Sequence, residues 1–303
     1  MINRYTHKKL TWIDLFSPTQ EEVRGLYEEF GIPTAVAESL LSKNTEARAI
    51  WFDSCLYLSL EFPSKDKSGK IVTNELDFCI GKDFLITKRN SEINAIHEFT
   101  KIFEVDSILN KSENLEHAGF LFYHLMRHLY SILNLELGVI TTDIIKIEDD
   151  IFSHKERDMV IALSKISRTI LDFKQTIRLH GGALESIFTA GRNFFGEDFS
   201  FSLKSIIAQW SNVEENASSS LELIRELRDT NNSLLSAKEN EAIKTFTSFF
   251  IMTLPFTVVP AIFQLSTLSH SIASDSLNFW IIFTVMALGT ISLYAYFKHK
   301  KWL

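Results

Sequence analysis

Hydrophobic and polar positions follow three rhythms along this chain, and the last of them is the most decisive. Residues 245–274 contain no Asp, Glu, Lys or Arg, and after Asp275 the chain is again free of them over 276–297. Segments 245–265 and 278–297 are each long enough, at ~1.5 Å per helical residue, to cross a hydrocarbon core of roughly 30 Å. The pattern predicts two membrane spans joined by a short polar loop, 266–277. Two helices cannot by themselves enclose an aqueous path. A function that needs one requires several copies around an axis, which points to a homo-oligomer.

Upstream of the spans, residues 197–254 hold neither Gly nor Pro, and apolar side chains recur at Leu203, Ile206, Trp210, Val213, Ala217, Leu221, Ile224, Leu227 and Leu234. This is helical spacing, and 58 unbroken residues would extend ~87 Å. The first span thus reads as the continuation of a stalk; the alternative is two helices with a break near Asn231-Asn232-Ser233. From about Glu92 the same 3.6-residue period predicts long helices at roughly 114–152 and 155–190, with breaks at Gly181-Gly182 and over 191–196. Before residue 100 the rhythm is that of short strands, at 51–60, 75–80 and 84–87, separated by Pro63, Gly69 and Gly81. A helix opens at Ser17-Pro18-Thr19, where Pro and acidic residues in the first turn match helix-start chemistry.

The expected fold is an α+β cytoplasmic domain, a small sheet with helices, followed by long helices and a very long stalk helix that continues into the first of two transmembrane helices. The expected divisions are 1–110 for the α/β domain, 111–197 for the long helices and 198–242 for the stalk. The spans follow at 243–265 and 278–297, with the outer loop at 266–277 and a basic tail at 298–303.

Charge adds orientation. Lys238 and Lys244 precede the first span, Lys298, Lys300 and Lys301 follow the second, and the loop between has neither Lys nor Arg. By the positive-inside rule both termini are cytoplasmic, in a multi-pass protein of the inner membrane. The start of the chain lacks the apolar stretch of a secretory signal. Region 244–303 carries four Lys and one Asp, so a formal charge of −7 for the whole chain leaves −10 on the rest. Nucleic acid is excluded as a partner on that balance. Cys55 and Cys79 lack CxxC spacing and read as buried thiols in a reducing compartment. Glu136, Asp143 and Asp150 recur every seven residues as a solvated acidic face. His117, His124 and His128 share a helical face and read as packing or surface residues, since an i, i+4 pair supplies too few ligands for a metal. No glycine-rich phosphate loop, nucleophile elbow, HExxH or CxxC pair is present, so nothing points to an enzyme.

Several segments together resemble the CorA-type divalent-cation (magnesium) channel family. They are Trp12-Ile13-Asp14-Leu15 with Pro18-Thr19, Phe52-Asp53, Gly81-Lys82-Asp83-Phe84-Leu85-Ile86-Thr87, Asn240-Glu241, Leu254-Pro255 and the ending from Tyr296 through Lys300-Lys301-Trp302-Leu303. The resemblance covers nearly the whole chain. It implies a homopentamer in the lipid bilayer that passes Mg²⁺, or else Co²⁺, Ni²⁺ or Zn²⁺, along a pore lined by the first transmembrane helix.

Carried onto this sequence, the resemblance makes Asn240, Ile243, Phe246, Phe250, Leu254, Thr257 and Ala261 the pore-lining stripe. Asn240 and Thr257 would supply polar rings, and the apolar members a constriction that closes by dewetting. The family's Tyr-Gly-Met-Asn signature is absent: Phe263, Gln264, Leu265 and Ser266 stand in its place, which makes Gln264, Leu265 and Ser266 the outer selectivity region of a divergent member. Asp53 and Asp229 match acidic positions implied to bind regulatory divalent metal, whereas Ser205 stands where the family has a carboxylate. No cofactor is implied beyond the transported or regulatory cation. The alternative class is a non-conducting or altered-selectivity membrane protein that acts as an ion sensor or scaffold, which the missing signature suggests.

Overall fold

A computed structural model describes residues 1–43, 47–65, 71–109, 116–266 and 276–300, with backbone alone at 65, 106–109, 263–266 and 276–279. The chain divides into two compact units, Met1–Arg228 and Asp229–Leu303.

The first unit is built on a six-stranded sheet in the order β1-β2-β6-β5-β4-β3. Its strands are β1 (Ile2–His7), β2 (Leu10–Phe16), β3 (Arg48–Trp51), β4 (Leu56–Lys65), β5 (Ile71–Ile80) and β6 (Phe84–Arg89). Only the central β2–β6 pair is parallel, with Trp12 opposite Leu85 and Asp14 opposite Thr87; its neighbours are antiparallel. Strands β1 and β2 and nearly all of β3 lie outside the three strand segments read from the sequence. Helices cover both faces, so apolar residues fill consecutive positions of β2 rather than alternating with polar ones.

On one face lie α1 (Gln20–Phe30) and α2 (Thr34–Leu41). The Thr19 hydroxyl accepts from the Glu22 N–H while the Glu22 carboxylate accepts from the Thr19 N–H, a reciprocal cap that fixes the start of α1. Val23, Leu26, Val36 and Leu40 pack with Ile13, Leu15, Tyr57, Cys79 and Ile86 in one buried cluster that includes Cys55. Both cysteines are free and fully buried.

The other face is covered by α3 (Asn94–Leu109), α4 (Ala118–Phe152), α5 (Glu156–Arg178) and α6 (His180–Phe195). Trp12 meets Phe99 and Phe103 edge-on, and Phe78 meets Phe122 likewise. The stretch expected to be helical over 155–190 with a break at Gly181-Gly182 is two helices, because the chain turns at Leu179. There His180 is fully buried, with Nε2 2.7 Å from the Glu61 carbonyl and Nδ1 2.9 Å from the Tyr130 hydroxyl. A carbonyl only accepts, so Nε2 carries the proton and Nδ1 accepts from Tyr130. Burial lowers the His180 pKa to about 4, which keeps the ring neutral.

Gly196, at φ 100°, a backbone conformation that side chains disfavour, separates α6 from α7 (Glu197–Ser266). Helix α7 is continuous for 70 residues, without a break at Asn231-Asn232-Ser233. Within the first unit its apolar stripe is anchored by close approach to glycines: Leu203 fills the space over Gly191, and Trp210 that over Gly181. The Trp210 indole N–H donates to the Ile177 carbonyl at 2.8 Å, satisfying one of the orphan acceptors in the last turn of α5.

Candidate functional site

The second unit holds the remainder of α7 and α8 (Ser276–His299). Both helices are long and apolar enough to cross a membrane, and little of either apolar segment is buried within the protein. The covered positions are few and regularly spaced. On α7 they are Ser248, Ile251, Met252, Thr253, Pro255 and Val259; on α8 they are Ile282, Met286, Ala287, Gly289, Thr290, Leu293 and Phe297. Apart from Thr253 and Ala287, each set follows helical spacing, which defines one face of each helix.

Gly289 sets the register of this seam. A Cβ built there would lie 3.9 Å from Cβ and Cγ of Pro255, ordinary contact for a methyl group. Antiparallel pairing through that point brings Ser248 level with Phe297, and both are buried. Gly289 is the only glycine after Gly196. That isolation is the signal in the sequence that could have revealed the seam, and it went unread.

The expected stripe Asn240, Ile243, Phe246, Phe250, Leu254, Thr257 and Ala261 lies on a different face of α7. At about 100° per residue its centre is about 140° from the centre of the seam. Every member is exposed, Leu254 at 39%, Phe250 at 66% and Phe246 at 75%. Exposure is not unique to the stripe, since Phe249 and Phe256 are exposed as well. These positions and the stripe alike are left bare by α8, so helical spacing and the family resemblance, not exposure, single the stripe out.

Pro255 and Pro260 interrupt the ladder of α7. Each lacks an N–H, so the carbonyls four residues earlier, of Ile251 and Phe256, lose their helical donors. The Thr253 hydroxyl donates to the Phe250 carbonyl at 2.7 Å and that of Thr257 to the Leu254 carbonyl at 3.0 Å. With its proton so committed, Thr257 presents only acceptor lone pairs to whatever lies beside the stripe, as a hydrated cation requires of its surroundings.

The outer positions Gln264, Leu265 and Ser266 fall at the end of α7, where side chains lie outside the described residues. The loop with His270 and Asp275, and the terminal Lys301, Trp302 and Leu303, also lie outside them. Asp53, in the turn before Cys55, and Asp229, on α7, are both exposed and belong to different units. Among the described residues no three His, Cys, Asp or Glu side chains converge as metal ligands. Of the α4 acids expected to form a solvated face, Asp143 pairs with Lys146 and Asp150 with Lys155 at the surface, whereas Glu136 is half-buried with its Oε2 shielded from solvent. His117 instead caps α4, its Nδ1 accepting from the Gly119 N–H, and stacks on Phe195. His128 faces Glu98 at 3.7 Å.

A second polar group escaped the sequence reading. Lys88, Glu75 and Asp77 are buried together beneath α2. Lys88 Nζ lies 2.9 Å from Glu75 Oε1 and 3.1 Å from Asp77 Oδ2, and donates to the Ser42 carbonyl at 2.9 Å. Burial raises the Asp77 pKa to about 6, although Lys88 pulls it down. Removal from water outweighs the ion pair because one ammonium serves two carboxylates.

A family model described as CorA-like Mg²⁺ transporter protein matches residues 7–299. The chain belongs to this family. Among curated relatives it is 20% identical over 298 residues to the cobalt/magnesium transport protein CorA of Thermotoga maritima, covering 97% of this chain and 83% of the relative. It is 19% identical over 298 residues to the protein of the same name from Methanocaldococcus jannaschii, covering 97% and 92%. The complete structure of the CorA magnesium transporter from M. jannaschii superimposes with a TM-score of 0.82 at 18% identity, over 99% of this chain and 93% of that one. Members of this family are ion transporters and not enzymes.

Proposed function

We propose that the protein forms a homopentamer in the inner membrane, both termini cytoplasmic, and passes divalent cations, Mg²⁺ before Co²⁺, Ni²⁺ or Zn²⁺, along a path walled by α7. The observation that carries this reading is the separation of faces on α7. The seam places one side of the helix against α8, and among the described residues the stripe from Asn240 to Ala261 on the far side has no partner. Identical stripes from several copies would place Thr257 acceptors in a ring. Below them Leu254, Phe250, Phe246 and Ile243 would form an apolar constriction that empties of water when narrow, and Asn240 a polar mouth.

Selectivity in this reading falls to Gln264, Leu265 and Ser266, which offer an amide and a hydroxyl in place of the family signature. Mg²⁺ releases its water shell reluctantly, so these groups would act on the hydrated ion. Asp53 and Asp229 are the proposed regulatory ligands. Hard cations take several oxygens, so each carboxylate needs further ligands from a neighbouring copy.

The test is flux into liposomes containing the purified protein, with Mg²⁺, Co²⁺, Ni²⁺ and Zn²⁺ supplied separately. Transport of Mg²⁺ well above empty vesicles is expected, rising when Phe250→Ala widens the constriction. The absent signature favours one other reading, a non-conducting sensor or scaffold, and that predicts no flux above background for any of the four ions.

A further inference from the structure

The cytoplasmic end of the α7–α8 seam carries a group of cations that the transport reading leaves without a task. Lys244 lies one helical turn before Ser248, and Lys300 three residues beyond Phe297, so the register fixed at Gly289 and Pro255 brings the two to one level. Lys298 flanks them, its ammonium 5.9 Å over the Tyr294 ring. All three lysines are exposed, and among the described residues none of them forms an ion pair. Tyr294 and Tyr296 are exposed at 49% and 58% on the last turns of the apolar segment.

This combination has a specific physical meaning. Amphipathic aromatic rings at the end of a span settle at the headgroup level, and lysines just beyond them meet the phosphates of the leaflet. Lysines gathered on neighbouring turns at the end of a span create a positive potential that favours an anion beside them. An acidic side chain would serve, but the nearest acids on α7, Glu239 and Glu241, precede Lys244 and point further into the cytoplasm on an exposed stretch of the helix.

We propose that Lys244, Lys298 and Lys300, with Tyr294, form a binding site for the headgroup of an anionic phospholipid at the cytoplasmic end of the seam. The site rests on the reading that this hairpin spans the bilayer with its basic end inside. The phosphodiester accepts from the ammoniums, Tyr294 holds Lys298 toward it through its ring face, and the acyl chains follow the exposed flank of α8. A bound lipid would clamp the two helices at the level where Ser248 meets Phe297.

Binding of phosphatidylglycerol and of phosphatidylcholine to the full chain in detergent, titrated by native mass spectrometry, tests the site. A lysine near an anionic surface is worth about fivefold in binding, so three are worth about a hundredfold. Phosphatidylglycerol should bind at least tenfold tighter than phosphatidylcholine. The Lys244→Gln, Lys298→Gln, Lys300→Gln triple variant should lose that preference, and the corresponding triple Arg variant should keep it. Equal binding of the two lipids by the wild type, or an undiminished preference in the Gln variant, overturns the proposal. If the Gln variant does not fold, the wild-type preference must still collapse in about 0.5 M salt, where screening shortens to roughly 4 Å; a preference that survives overturns the site. Failure here leaves cation flux unaffected, and absence of flux leaves the lipid measurement unaffected, so the two readings fail separately.

Discussion

Two buried titratable groups, His180 and Asp77, act on the first unit with opposite sign. At pH 5 the unfolded chain holds a proton on His180, whose ordinary pKa is 6.5, while the folded ring at about 4 does not. Stability from this residue therefore rises with pH between about 4 and 6.5. At Asp77 the folded carboxyl, at about 6, keeps a proton that the unfolded side chain, at 3.8, has released. Its contribution is full at low pH and is lost as pH climbs through about 6. Each shift corresponds to about 3 kcal/mol, so over the shared window they offset. The wild-type melting temperature in detergent should be nearly flat between about pH 4 and 6. Asp77→Asn should make stability fall steadily on acidification, and His180→Gln, which retains hydrogen-bonding groups for Tyr130 and Glu61, should make it rise. Variants that parallel the wild type would mean that neither group titrates as its surroundings dictate.

At the scale of elements, what could be read in advance depended on whether the deciding interaction was local. Helix α7 was legible because 58 consecutive residues without Gly or Pro, with apolar side chains at helical spacing, leave no competing structure. The strands β1 and β2 were missed. Both faces of β2 are covered, so Trp12-Ile13-Asp14-Leu15 shows no alternation, and its one charge is matched by Arg89 across the parallel pair at 2.9 Å. The end of α5 at Leu179 lies two residues before the break read at Gly181-Gly182; what local pattern could not show is that His180, reaching Glu61 and Tyr130 far away in sequence, holds the turn. The candidate stripe could be selected from the sequence only through family resemblance, because apolar residues surround α7 on all sides. The seam was within reach of pattern reasoning, through the lone Gly289. Its tight fit against Pro255 gives a graded prediction. Gly289→Ala adds a methyl at 3.9 Å, ordinary contact, and should leave assembly and flux near wild type. Gly289→Leu forces the helices apart, with an overpacking cost of about 1–3 kcal/mol, and should lower the melting temperature in detergent and reduce flux. If Leu is as well tolerated as Ala, the helices do not meet at this point in the membrane.

For the whole molecule, the question is what covers the faces of α7 and α8 that the seam leaves bare, since lipid and a neighbouring copy are both available inside a bilayer. Apolar character does not decide between them, because lipid tails are as apolar as Phe250 or Leu254 and association there rests on packing and polar contacts. Water access does decide. If several copies enclose a path, Thr257 faces water at the level of the bilayer, whereas Thr284, which lies on the side of α8 away from the seam and donates to the Trp280 carbonyl at 2.7 Å, faces lipid. The two native cysteines are fully buried, so the background for a charged thiol reagent is low. Thr257→Cys should be modified by such a reagent in liposomes and lose flux as it is, at a rate that falls when Mg²⁺ occupies the path, while Thr284→Cys should stay unmodified. The oligomer must also persist in lipid as a pentamer by mass. A monomer, or a reactive Thr284→Cys beside an inert Thr257→Cys, would place the water on the wrong helix and remove the basis for an ion path along α7.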